Sequence, residues 1–181
     1  RCQIIKFLNL PKDTIKTFLR TSYNIDEDAL EWYTHVSNGS IGEAVKLMNA
    51  NMFNKNETLI NNLFNLKARD NFKISKEIQD GIANEENSFE EKRSYLKTIL
   101  NLILNYYRDL LLYKTEAVEK SYYFNSKHED LIKAQSNLIS IETIIKIIDH
   151  IFVAFDNLES NANTNLLLEN LLTRLAVTSR R

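Results

Sequence analysis

Three glycines and one proline in 181 residues leave this chain few ways to fold. Sheets reverse direction at Gly and Pro, which supply the positive φ angles and fixed turns that hairpins need. A β-rich chain of this length would need many more of both. Helices joined by short polar connectors need few. Hydrophobic residues make up 44% of the chain, enough for a packed core and too many for a disordered polymer. The expectation is an all-α protein.

The helices can be placed from their punctuation. Ile4, Ile5, Phe7 and Leu8 form a short apolar entry that ends at Pro11, which suits a first helical turn because its missing N–H costs nothing there. That helix continues through 14–20. Asp26 reads as an N-cap, with Glu27 and Asp28 at the positive end of a second helix, and Gly39 ends it. Ser40 to Glu43 has the S-x-x-E spacing of a capping box and opens a third helix through Leu47. Residues 50–56 read as a boundary. Beyond them helices are expected at 57–68 and 72–79, the second closed by Gly81. A polar linker at 84–87 and a second capping-box spacing at 88–91 precede the longest helix, 89–119. Its residues Leu96, Ile99, Leu100, Ile103, Leu104, Tyr107, Leu110 and Leu111 keep the 3.6-residue period. A shorter helix follows at 128–136. Ser140 caps a very apolar one that reaches Leu158 and carries Ile144, Ile145, Ile148, Ile151, Phe152 and Phe155; a Leu-rich helix with Leu167, Leu168, Leu171, Leu172 and Leu175 comes last. No repeat and no sustained heptad seam is present. The pattern gives a three-helix bundle over 1–50 and a five- or six-helix bundle over 55–181.

Charge and cysteine usage exclude several function classes. The net charge is −1, and neither part is strongly basic: 6 basic and 6 acidic residues lie in 1–50, and 17 and 18 in the rest. Electrostatic binding of nucleic acid is therefore not the chain's own main task. The single cysteine, Cys2, allows no internal disulfide and no cysteine zinc site, which fits a reducing cytosol. No apolar run is long enough to span a bilayer. The chain begins with Arg1 and reads as a piece of a longer protein.

No complete catalytic constellation is visible. His35, His128 and His150 have no metal-like spacing to one another or to Cys2, and read as structural or surface residues. Phosphate loops of the G-x-x-x-x-G-K-[ST] and G-x-G-x-x-G types are absent, as are G-x-S-x-G and H-E-x-x-H. The Glu85-Glu86 and Glu90-Glu91 pairs read as solvated carboxylates near a helix start. No cofactor or metal is implied. One charged pair stands out: Arg108-Asp109 sits inside Tyr106-Tyr107-Arg108-Asp109-Leu110-Leu111-Leu112. A charge pair within an apolar helix must find partners or lie at an interface, and a structural ion pair is the favoured reading.

At these residues the chain resembles the delta-prime branch of the clamp-loader subunits of bacterial DNA polymerase III, within the AAA+ family. Arg1-Cys2-Gln3 resembles the end of the family's Ser-Arg-Cys motif, and is followed, as in the family, by a short apolar linker and a Leu-Pro pair, Leu10-Pro11. The stretch 38–47, Asn-Gly-Ser-Ile-Gly-Glu-Ala-Val-Lys-Leu, resembles the lid helix that carries sensor 2. ATP-hydrolysing relatives, gamma and tau, place an arginine where this chain has Gly42. The Tyr-Arg-Asp-Leu-Leu helix, and 161–175 with its Asn-x-Asn and leucines, resemble the collar.

The resemblance implies an AAA+ lid at 1–50 without the sensor arginine, and a collar at 55–181 that joins a five-membered ring with delta and gamma or tau. The ring loads the sliding clamp on primed DNA in the cytoplasm, within a holoenzyme that is a DNA-directed DNA polymerase, a nucleotidyltransferase. The chain would be a non-catalytic assembly piece that meets clamp and DNA only through the whole complex, with no membrane involved. Arg1 matches the trans-acting arginine that neutralises charge on a neighbour's transferred phosphoryl group. Arg108, Asp109, Asn161 and Asn165 are the interface or structural candidates. Two other readings use the same helices: a ligand-binding bundle of a bacterial regulator, with aromatics lining a pocket, or an unrecognised helical enzyme. The first calls for an enclosed apolar cavity; nothing clusters His, Asp or Cys for the second.

Overall fold

A computed structural model describes residues 8–83, 89–116, 123–160 and 162–179. Those residues form nine α-helices, one 3-10 turn and no strand, so the all-α expectation is met. Contacts divide the chain into 1–58 and 59–181, a division that falls inside a helix.

The first unit holds α1 (Lys12–Ser22), α2 (Glu27–Val36), α3 (Ile41–Asn49) and the start of α4 (Met52–Phe64). Pro11 stands at the N-cap of α1 with extended ψ. The Asp26 side chain accepts from Asp28 N at 3.2 Å, and Ser40 Oγ accepts from Glu43 N at 3.2 Å. Both caps were legible because they satisfy donors that a helix start leaves open. Helices α1, α2 and α3 pack pairwise around Ile15, Leu19, Leu30, Ala44 and Leu47. Trp32 packs edge-on to Tyr33 and Phe53, at 5.3 and 5.9 Å between ring centroids. Gly39, at φ +84°, meets the α1 entry closely: its carbonyl accepts from Leu10 N at 2.9 Å, and an added Cβ would lie 2.4 Å from Asn9 Cβ. On the surface Lys16 pairs with Glu27 and Glu31, and Arg20 with Glu27. The Lys16 and Arg20 donors hold the Glu27 carboxyl below its ordinary range.

Two boundaries differ from expectation. Helix α4 starts at Met52 and ends at Phe64, where 57–68 was expected. Met52 and Asn56 are buried and Tyr33 Oη accepts from Phe53 N at 3.4 Å, so residues of the expected 50–56 boundary are packed helix. Helix α5 (Asn71–Ala83) runs past Gly81. A helical glycine costs only about 1 kcal/mol, too little to stop a helix that packing sustains.

The second unit is built on α6 (Phe89–Thr115), which contacts α7 (Glu129–Leu138) and α8 (Ile141–Glu159); α9 (Thr164–Thr178) packs on α8 and α5. Leu96, Leu100, Ile103, Tyr107 and Leu110 of α6, Ile147 and Ile151 of α8, and Leu171, Leu172 and Leu175 of α9 are at most 2% exposed. At about 25 cal/mol per Å2 of apolar surface removed from water, these stripes are what hold the bundle. Glu116 closes α6 at φ +50°, and a 3-10 turn, Ser126–His128, leads into α7. Ser140 caps α8 by accepting from Thr143 N at 3.2 Å, as expected. At the other end of α8, Arg93 of α6 donates to the Leu158 carbonyl at 2.7 Å. The polar linker at 84–87, the Ser88 capping spacing and the expected end of the long helix at 117–119 lie outside the described residues. No helix among the described residues is long and apolar enough to cross a membrane.

Candidate functional site

Asp109 follows Tyr106 by three residues and Leu102 by seven, so the helical period turns it to a buried flank of α6. It is fully buried. Its Oδ1 accepts from Phe124 N at 3.2 Å; its Oδ2 accepts from Asn125 N and Asn125 Nδ2, both at 2.9 Å. Burial pushes the carboxyl up to about 6, against the pull of those three donors and of Arg108. Arg108 itself stands aside. Its guanidinium lies over the Phe124 ring at 4.8 Å, and Nη1 reaches only to 4.0 Å from Asp109 Oδ1. The expected ion pair is thus at the limit of contact, and Asp109 is satisfied mainly by backbone and amide N–H groups.

Two further ties run the same way. Tyr106 Oη donates to Gln135 Oε1 of α7, and Lys114 Nζ donates to the Ser136 carbonyl at 2.6 Å. Burial holds the Tyr106 and Tyr107 phenols well above their ordinary range, so both stay protonated. Together these contacts clamp the segment before α7, and α7 itself, onto the end of α6. The Asp109 carboxyl is sealed from solvent, and both of its oxygens have donors. Asp109 is thus not open to a substrate as an acid or base.

The remaining predicted residues are scattered. Gly42 is exposed in the first turn of α3, and a Cβ added there would meet only Ser40 Oγ, at 3.9 Å. Packing therefore does not demand a glycine there. Asn165 is exposed in the first turn of α9, where its N–H donates to Asn163 Oδ1 at 3.0 Å. The working residue of that Asn-rich stretch is Asn163, whose Oδ1 also accepts from Leu166 N at 3.2 Å. An Asn ahead of Thr-Asn-Leu-Leu-Leu was the signal for that cap. Arg1 and Asn161 lie outside the described residues. His35 Nδ1 lies 3.0 Å from Lys12 Nζ, and His150 Nε2 lies 3.4 Å from Thr178 Oγ1. Among the described residues no three His, Cys, Asp or Glu converge where a metal ion could sit.

The surface departs from expectation on α8. Ile145 and Phe152, assigned to the apolar stripe, are 47% and 52% exposed, with Ile141 at 36%. The core side of α8 is Ile144, Ile147, Ile151, Ala154 and Leu158. Its apolar arc is wider than the helices packed on it cover, and periodicity alone cannot tell which part of so wide an arc stays bare. A groove of about 290 Å3 between α8 and α9 is open and has Asn157, Asn163, Asn170 and Arg174 among its walls. A second depression, about 470 Å3, has Glu90, Arg93, Lys97 and Glu159 on its walls. Neither is the enclosed apolar cavity that a ligand-binding regulator calls for.

Among known families, the model for the C-terminal region of the DNA polymerase III delta subunit fits residues 50–176, which spans α4 to α9 apart from the last two residues of α9. No curated protein matches the chain, and no solved structure does.

Proposed function

Since the chain belongs to the family formed by the C-terminal region of the DNA polymerase III delta subunit, we propose that it is an assembly module of a clamp loader, of the delta-prime type, and that it turns over no substrate of its own. In this reading 1–50 is the lid and 55–181 the collar. The collar docks on the collars of gamma or tau and of delta, and the finished ring loads the sliding clamp on primed DNA in the cytoplasm. The observation that carries the clamp-loader part of the reading is the family match over residues 50–176. The bare apolar row on α8 supports it, since a contiguous exposed apolar face marks an interaction surface.

Gly42 supports the delta-prime assignment. A glycine offers no guanidinium to a triphosphate, although an added Cβ there would meet nothing closer than Ser40 Oγ at 3.9 Å. Arg1 is assigned the trans-acting role in the intact ring, where a guanidinium stabilises charge on a neighbour's transferred phosphoryl group. Asp109 serves the collar from within, by fixing the segment that leads into α7, with Arg108 over its Phe124 ring. The delta subunit proper is the second reading, favoured by the description of the matching family.

The test is association. The chain is mixed with purified gamma or tau and with delta, and complexes are sought by light scattering. A defined heteromer is expected. No association at high micromolar concentration overturns the proposal. Competition separates the two readings: the chain displaces delta-prime from a preassembled ring if it is of that type, and delta if it is of the other.

A further inference from the structure

Helix α8 carries two apolar rows. One is the core row. The other is Ile141, Ile145, Ile148, Phe152 and Phe155, spaced 4, 3, 4, 3 in the chain. That is the a/d spacing of a coiled-coil seam over two heptads. At 1.5 Å per residue it runs about 21 Å along the helix. Ile141, Ile145 and Phe152 are exposed, and Ile148 and Phe155 are half-buried.

The two edges of the seam differ. On one side, in g-type register, stand Ile144, Ile151 and Leu158, all within the bundle's core. On the other, in e-type register, stand Glu142, Asp149 and Asp156, all exposed and all acidic. The exposed charge this edge can offer a partner is acidic, at Asp149 and Asp156; Glu142 is already engaged, and the exposed Lys146 stands one step outside the row. In a coiled coil that edge faces the flank of the partner helix and selects its charge. A second copy of this helix laid antiparallel would bring this acidic row against itself, and like-charge juxtaposition disfavours that pairing.

We propose that the α8 seam docks one helix of a different polypeptide, a helix with an apolar a/d row edged by lysine or arginine. This deepens the assembly reading above, and rests on it only for the partner being another member of the clamp loader. The geometry of the seam and the sign of its edge do not depend on it.

The probe is a set of stapled 21-residue helical peptides with leucine at a and d. They are identical except for the residues flanking that row, which are all lysine, all glutamine or all glutamate. Fluorescence anisotropy against the full chain should show the lysine peptide binding at least tenfold tighter than the glutamate peptide, with the difference shrinking as salt is raised. The double substitution D149K/D156K, on exposed sites that leave the core untouched, should invert the preference. Phe152→Asp should abolish binding of all three. Equal binding of the three peptides, no binding of the lysine peptide, or a preference unmoved by D149K/D156K overturns the proposal, as does self-association through α8 in sedimentation. If Phe152→Asp still joins the loader subunits undiminished, the seam inference falls and the assembly reading stands. If the lysine peptide binds as expected while the chain joins no loader complex, the assembly reading falls and the seam stands.

Discussion

Replacing Asp109 by asparagine should remove a pH dependence that this one buried carboxyl imposes on the second bundle. In the folded chain burial raises the group from the ordinary 3.8 to about 6. The folded state then holds the proton more tightly than the unfolded state does. Stability from this group is full below about pH 4, falls as the pH rises through about 6, and is flat beyond. At about 1.4 kcal/mol per pH unit, the span between the two values corresponds to a loss of about 3 kcal/mol between pH 4 and pH 7. Asparagine cannot ionise, so it lacks that slope. It brings a fixed cost of its own: if its oxygen serves Asn125, its NH2 faces the Phe124 N–H, and a buried donor without an acceptor costs about 1–3 kcal/mol. Asp109→Asn should therefore be the weaker protein at pH 4 and draw level with, or overtake, the parent by pH 7. Urea unfolding at several pH values, followed by near-UV circular dichroism of the tyrosines, gives the comparison. Trp32, the only tryptophan, sits in the first unit, and its fluorescence transition should be the same in both proteins. Because every other titrating group is shared, the gap between parent and variant isolates position 109. A gap independent of pH would refute the reasoning. A gap that widens with pH would show that the three N–H donors outweigh burial.

Asn163→Ala removes an acceptor that serves two open donors of α9 and should lower the second bundle's stability by about 1–2 kcal/mol in urea titrations. Tyr106→Phe leaves buried Gln135 Oε1 without its phenol donor and should cost about 1–2 kcal/mol, seen as faster amide exchange through α7. Gly42→Ala fills open space in α3 and should raise the first unit's stability by about 0.5 kcal/mol, read from the Trp32 transition. Gly39→Ala should do the reverse, lowering it by about 1–3 kcal/mol, because φ is +84° and Asn9 stands in the way.

Much of the fold was legible because helix starts and apolar stripes are local. Asp26, Ser40 and Ser140 cap where their side chains can reach an open N–H two or three residues on. The long α6 stripe followed from period alone. What failed was settled at longer range. The start of α4 depends on Tyr33, twenty residues earlier, meeting Phe53. Helix α5 passes Gly81 because propensity is weaker than packing. The Arg108-Asp109 pair was visible as an oddity, but its partners, Phe124 and Asn125, lie fifteen and sixteen residues beyond Asp109 across the turn into α7, and no spacing rule reaches them.

The amino-acid order alone determined that the chain is helical and where most of its helices begin, since those follow from backbone propensity and from side chains within a turn of one another. Only the packed structure decided which half of α8's wide apolar arc is core and which half stays bare beside an acidic edge. Hydrophobicity states that a side chain will leave water. The neighbours that cover it, or do not, come from distant parts of the chain.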